Sequence, residues 1–119
     1  MSDEFLKVAT AEINNEISEI QNILNSCKSS LDVSANAAKI QKSTHKIKGL
    51  APMMGKEDLG DLAALLDSLL KKIMNGVVAN EILESLIIAA DEMKKSMTCP
   101  DYDLDKIKQK ISHLSSALS

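Results

Sequence analysis

The chain has no arginine and no tryptophan, and Phe5 and Tyr102 are its only aromatic residues among 119. Without arginine there is no planar fork to grip phosphate or guanine, and only the point charges of lysine remain. Without aromatic platforms there is little for unpaired bases to stack on. Positive charge is not in excess either: 14 basic and 17 acidic side chains leave a formal net charge of −3. Nucleic-acid binding draws on clustered cations that displace counterions, so this balance argues against it. The aromatic and β-branched excess of a sheet protein is also missing. Only two prolines and four glycines interrupt the chain, which favours long helices.

Cysteine is scarce too. Cys27 and Cys99, in a chain whose start shows no secretory pattern, read as free thiols in a reducing compartment. No apolar run reaches the ~18–20 residues of a membrane span. The opening MSDEFLKVA lacks a positive segment followed by an apolar one. The expectation is a cytoplasmic protein that engages neither membrane nor nucleic acid. What the chain does have is 45% hydrophobic and 26% charged residues. That is enough for a core and a soluble surface in one domain over residues 1–119.

The apolar residues recur at steps of three and four, the spacing that lines one face of a helix. Leu6, Ile13, Ile20 and Cys27, with Phe5, Ala9, Ile17 and Leu24, predict a helix over 3–27, capped by Ser2 or Asp3. Residues 28–32 read as a loop. Ala37, Ile40, Thr44, Ile47, Ala51 and Met54 predict a second helix over 35–54, with Ser34 as its cap, Pro52 kinking or fraying its last turn and Gly55 ending it. Leu59, Leu62, Leu66, Leu69 and Ile73 predict a third over 57–74. Leu83, Leu86, Ile87, Ala90, Met93 and Met97 predict a fourth over 81–97, capped by Asn80. Leu104, Ile107, Ile111, Leu114 and Leu118 predict a fifth over 103–118. Short connections bring neighbours back alongside. The expected fold is all-α: an antiparallel four-helix bundle with an additional fifth, C-terminal helix, able to stand as a monomer.

One stretch departs from packing: Thr44-His45-Lys46-Ile47-Lys48-Gly49-Leu50-Ala51-Pro52-Met53-Met54-Gly55. Thr44 belongs to the core stripe, and one residue is about 100° around a helix. His45 therefore lies on the shoulder of the buried face, in a stripe with Gln41, Lys48 and Pro52. Gly49, one turn on, costs about 1 kcal/mol relative to alanine in mid-helix. Either another helix packs closely there or a partner's backbone approaches the ring. If the second and third helices form a hairpin about Gly55, His45 and Asp67 lie roughly 15 and 18 Å from the turn, nearly level. A carboxylate there can accept the imidazole Nδ1–H and leave Nε2 as a nucleophile. Lys48 can offset charge arriving on that nitrogen.

His45-Lys46-Ile47-Lys48-Gly49, closed by Met53-Met54-Gly55, resembles the signature of histidine phosphotransfer (HPt) domains, His-x-x-Lys-Gly on the second bundle helix. Within that family the chain is most similar to the phosphotransfer domains of CheA-type chemotaxis kinases. The resemblance covers roughly residues 3–118. It implies that His45 takes a phosphoryl group on Nε2 from a histidine kinase catalytic domain and passes it to the aspartate of a response-regulator receiver domain. It also implies that the domain holds no nucleotide, cofactor or metal of its own. Lys48 matches the family lysine and Gly49 the family glycine. Gln41, Lys42, Lys46, Gly49 and Pro52 would meet the partner. Three positions differ from the CheA type: Asp67 stands where a glutamate holds the ring, Ala64 where a histidine is common, and Pro52 where a small residue is usual. Aspartate is one methylene shorter, so a water would help it reach the imidazole.

Other candidates are weaker. His113 has no acid or cysteine at ligand spacing and reads as surface. Cys27, Cys99, His45 and His113 lack the paired spacing of a zinc site. The acids of 101–105 lack the glycine and bidentate glutamate of a calcium loop. The second function class is a helical docking module that is never phosphorylated.

Overall fold

The computed structural model describes residues 2–77 and 80–118; of the domain read over 1–119, residues 1, 78, 79 and 119 lie outside the described residues. Five helices follow in order: α1 (Asp3–Ser26), α2 (Ser30–Leu50), α3 (Glu57–Met74), α4 (Ile82–Thr98) and α5 (Asp105–Ala117), with a 3-10 turn at Pro52–Met54. Among the described residues no strand occurs. The molecule extends 42 × 24 × 20 Å, set by the ~36 Å length of the 24-residue α1.

Ser2 caps α1, its Oγ accepting the Phe5 N–H at 3.1 Å, and Asp3 and Glu4 favour that terminus electrostatically. The buried stripe is Ala9, Ile13, Ile17, Ile20, Leu24 and Cys27, as the spacing predicts.

The second helix starts a turn earlier than expected. Ser30–Asp32 is helix rather than loop, and Ser34 does not cap it; the Ser34 hydroxyl donates to the Ile73 carbonyl at 3.0 Å. The reason is Val33, one turn before Ala37 and fully buried. Burying a valine is worth about 1.5–3 kcal/mol, more than a typical capping hydrogen bond. The Ser34 bond also ties the start of α2 to the end of α3, as an antiparallel hairpin requires.

The end of α2 is shorter than expected, at Leu50 rather than residue 54. Pro52 has no N–H to continue the ladder. The chain tightens into the 3-10 turn and reverses through Gly55 at φ 79°, a left-handed conformation that glycine adopts at no steric cost. Pro52 then packs on α3: a Cβ placed on Gly60 would lie 2.8 Å from Pro52 Cγ. Gly60→Ala is therefore expected to destabilise the fold by about 1–3 kcal/mol despite alanine's better helix propensity, read as a lowered urea midpoint.

The tightest helix pair is α2–α3. Leu59, Leu62, Leu66, Leu69, Leu70 and Ile73 of α3 are all buried. On their other sides α1 lies along α2 and α4 along α1, while α5 closes against α3 and touches α4.

α4 shows a different face from the one expected. Ile82, Ser85, Leu86, Ala89, Ala90, Met93 and Ser96 are buried, whereas Ile87 is 40% exposed and Leu83 and Met97 only half-buried. Its apolar residues cover more than one stripe, and packing against α1 and α5 selects the Ile82 side. Asn80 lies in the turn before it, and Glu81 occupies the cap position without a side-chain hydrogen bond. α5 buries Ile107 and Ile111, together with Leu104 at its N-terminal cap. It is pinned to α3 by Lys108, whose ammonium lies 3.1 Å from Asp58 and 3.9 Å from Asp61, and by the Lys72 ammonium, which donates to the Ser115 carbonyl at 2.7 Å.

Candidate functional site

Two turns of α2 and the middle of α3 build the site. Thr44 and Ile47 are buried in the α2 stripe, so helical geometry turns His45 and Lys48 outward. The His45 side chain is 67% exposed. On α3, Leu66 and Leu70 anchor the core, and Asp67 follows Leu66 into the seam between the helices. Asp67 is 2% exposed, buried rather than on the shoulder that the spacing suggests. The close packing of α2 on α3 covers it.

A buried carboxylate needs partners, and Asp67 has four polar groups around it. Oδ1 accepts a hydrogen bond from Gln41 Nε2 at 2.5 Å and faces His45 Nδ1 at 3.9 Å. Oδ2 faces Lys71 Nζ at 3.3 Å and Lys48 Nζ at 3.8 Å. Burial alone would raise the Asp67 pKa. The hydrogen bonds from Gln41 and Lys71 and the charges of Lys71 and Lys48 outweigh it and hold the carboxyl below its ordinary value. Asp67 is thus an anion at neutral pH, facing one ring nitrogen of an exposed imidazole.

The 3.9 Å gap is too long for a direct hydrogen bond, as a carboxylate one methylene short of glutamate implies. A small turn of the ring or a bridging water would close it.

The structure brings His45, Lys48 and Asp67 together. It places the other sequence candidates variously around them. Gln41 is half-buried and spends its amide on Asp67. Lys46 reaches the other way, to Glu16 of α1 at 3.3 Å. Lys42 is exposed, and Pro52 is exposed beside Gly60. Gly49 decides between the two explanations for a mid-helix glycine: a Cβ there would meet nothing within 4 Å. No neighbouring helix needs the space, and the surface beside His45 is open.

Sequence reasoning did not assign Lys71 or the inward turn of Gln41. The signals were present: Lys71 is four residues after Asp67, and Gln41 four before His45, each one turn away on the same face.

Elsewhere, His113 is exposed. Cys27 is buried and Cys99 exposed, both as free thiols; burial, and then the charge of nearby Asp32, push the Cys27 thiol up. Among the described residues no group of three or more His, Cys, Asp or Glu is placed to hold a metal ion. Among the same residues no helix is long and apolar enough to cross a membrane.

The helical bundle thus presents an exposed histidine with a lysine one turn on, an open glycine beside it and a carboxylate from the next helix. The sequence model of the Hpt domain family matches residues 4–117. The chain belongs to that family, the histidine phosphotransfer domains, which serve two-component phosphorelays together with kinases and response regulators. Comparison with curated proteins and with solved structures finds no match.

Proposed function

We propose that His45 is the phosphoryl carrier of this domain, taking the group from a histidine kinase catalytic domain and passing it to a receiver-domain aspartate. The observation that carries this reading is the ionised, buried Asp67 facing Nδ1 of an exposed imidazole. A carboxylate on that side stabilises the Nδ1–H tautomer and leaves the Nε2 lone pair directed to solvent. Nε2 attacks the γ-phosphorus of ATP in line, the P–N bond forms, and ADP leaves with the electron pair of the broken P–O bond. In the second step the receiver carboxylate attacks phosphorus, the P–N bond breaks, and its electrons return to Nε2. Lys48 faces the same carboxylate and balances charge as the phosphoryl group arrives.

The five-helix order and the position of His45 in the second helix support a CheA-like domain of a chemotaxis kinase, working in the cytoplasm as a monomer. Its receiver would dock on the open shoulder of α2 formed by Gly49, Lys42, Lys46 and Pro52, beside the edge of Gln41.

Incubation with phosphoramidate, followed by intact mass and peptide mapping, tests the reading. The expected product is one acid-labile phosphoryl group on His45. A folded protein that acquires none would instead be a docking module.

Gly49 supplies a separate test of the partner surface. Gly49→Leu meets no atom of its own chain near the backbone and relieves a helix cost of about 1 kcal/mol. Its thermal midpoint should hold or rise and its uptake from phosphoramidate should persist. Transfer to the receiver should fall, by about tenfold or more if the side chain holds the partner's backbone away.

A further inference from the structure

Asp67 Oδ2 faces two ammonium groups, Lys71 at 3.3 Å and Lys48 at 3.8 Å. One carboxylate carries one negative charge, so the cluster keeps an unmatched positive charge beside the imidazole. Two like charges on one oxygen repel each other. Asp67 cannot relieve this by turning, because Gln41 holds its other oxygen. The Lys71 side chain is 59% exposed, against 2% for the carboxylate it pairs with, so solvent rather than packing surrounds it. Lys46, the residue next to His45, is already engaged by Glu16.

A phosphoryl group on His45 would bring roughly two negative charges near neutral pH. Asp67 and Lys48 alone cancel each other and leave both charges unmatched. Adding Lys71 removes one of them. Resting on the reading of His45 as the acceptor, we propose that Lys71 is a second phosphate-binding lysine of this site. Asp67 stores it beside the unmodified ring, and it turns onto the phosphoryl oxygens once Nε2 carries them. The exchange makes and breaks only ion pairs; the P–N bond is formed by His45 as before.

The test charges the wild-type protein, Lys71→Gln and Lys71→Arg with phosphoramidate and follows the phosphohistidine by ³¹P NMR across pH. A cation beside the phosphoryl group favours its dianion. In Lys71→Gln the second ionisation should move to higher pH, and phosphorylation should slow by about fivefold, the scale of one partly exposed ion pair. Both differences should shrink in about 1 M salt, where the screening length falls to about 3 Å, and Lys71→Arg should restore both. A slower Lys71→Gln whose phosphoryl group ionises as in the wild type would overturn the proposal, because Lys71 would then act only by steadying Asp67. Identical rates and ionisation would overturn it as well. Failure of the His45 reading shows separately, as a folded wild-type protein with no adduct, and takes this inference with it.

Discussion

His45→Gln is expected to yield a protein that melts like the wild type and takes up no phosphoryl group. The side chain is 67% exposed and makes no hydrogen bond within 3.5 Å to Asp67, so its replacement removes no buried contact. Surface substitutions of this kind change stability by about 0.5 kcal/mol or less. The chemistry, in contrast, has no substitute. Glutamine has no lone-pair nitrogen, since its amide nitrogen is conjugated with the carbonyl. Loss should be complete rather than graded, both with phosphoramidate and with a kinase domain. Intact mass of the two proteins after the same incubation, with thermal melts alongside, reads both halves. Residual acid-labile phosphate in the variant would move the acceptor to another residue, His113 being the other histidine of the chain.

Asp67→Asn should change both rate and stability, and the stability effect should depend on pH in a fixed direction. The folded carboxyl sits below its ordinary value. A group with a lowered folded pKa contributes stability above its unfolded pKa of about 3.9 and loses it as pH falls through the folded value. The gap in urea midpoint between wild type and Asp67→Asn should therefore be widest near neutral pH and close as the wild-type carboxylate is protonated in acid. At neutral pH a loss of about 1–3 kcal/mol is expected: the asparagine oxygen can still accept from Gln41, but Lys48 and Lys71 lose their anion and face an amide donor instead. An unchanged gap from neutral pH down to about pH 2 would mean that Asp67 is not the ionised hub. The same variant should take up phosphoryl groups about tenfold more slowly, equivalent to about 1.4 kcal/mol of lost charge support for the imidazole. An unaltered rate would remove Asp67 from the transfer step while leaving its structural role in place.

The outline of the molecule was legible in steps of three and four. Regular apolar spacing over α1 and α3 named their faces correctly because each has one dominant stripe, and a single stripe can be buried in one way. α4 carries apolar residues at 82, 83, 86, 87, 88, 89 and 90, so its period fits several rotations about the helix axis. Which one is buried depends on what lies beside it, and Ile87 came out exposed. The ends of α2 were misplaced for local reasons of two kinds. Val33 adds a buried turn at the start, which is a matter of packing. Pro52 ends the α-helix before residue 54, the earlier of the two outcomes, kink or fraying, that a proline there allows.

The site divides along the same line. From sequence alone come the outward-facing histidine, the lysine one turn away and the bare glycine, because all three lie on one helix and the geometry of a helix is local. The level of Asp67 on the next helix also followed, from rise per residue and the position of Gly55. The burial of that carboxylate, its capture by Gln41, and the two lysines sharing one of its oxygens belong to the tertiary structure. They depend on how far apart α2 and α3 pack and how each is rotated, and neither quantity is written in the period of either helix.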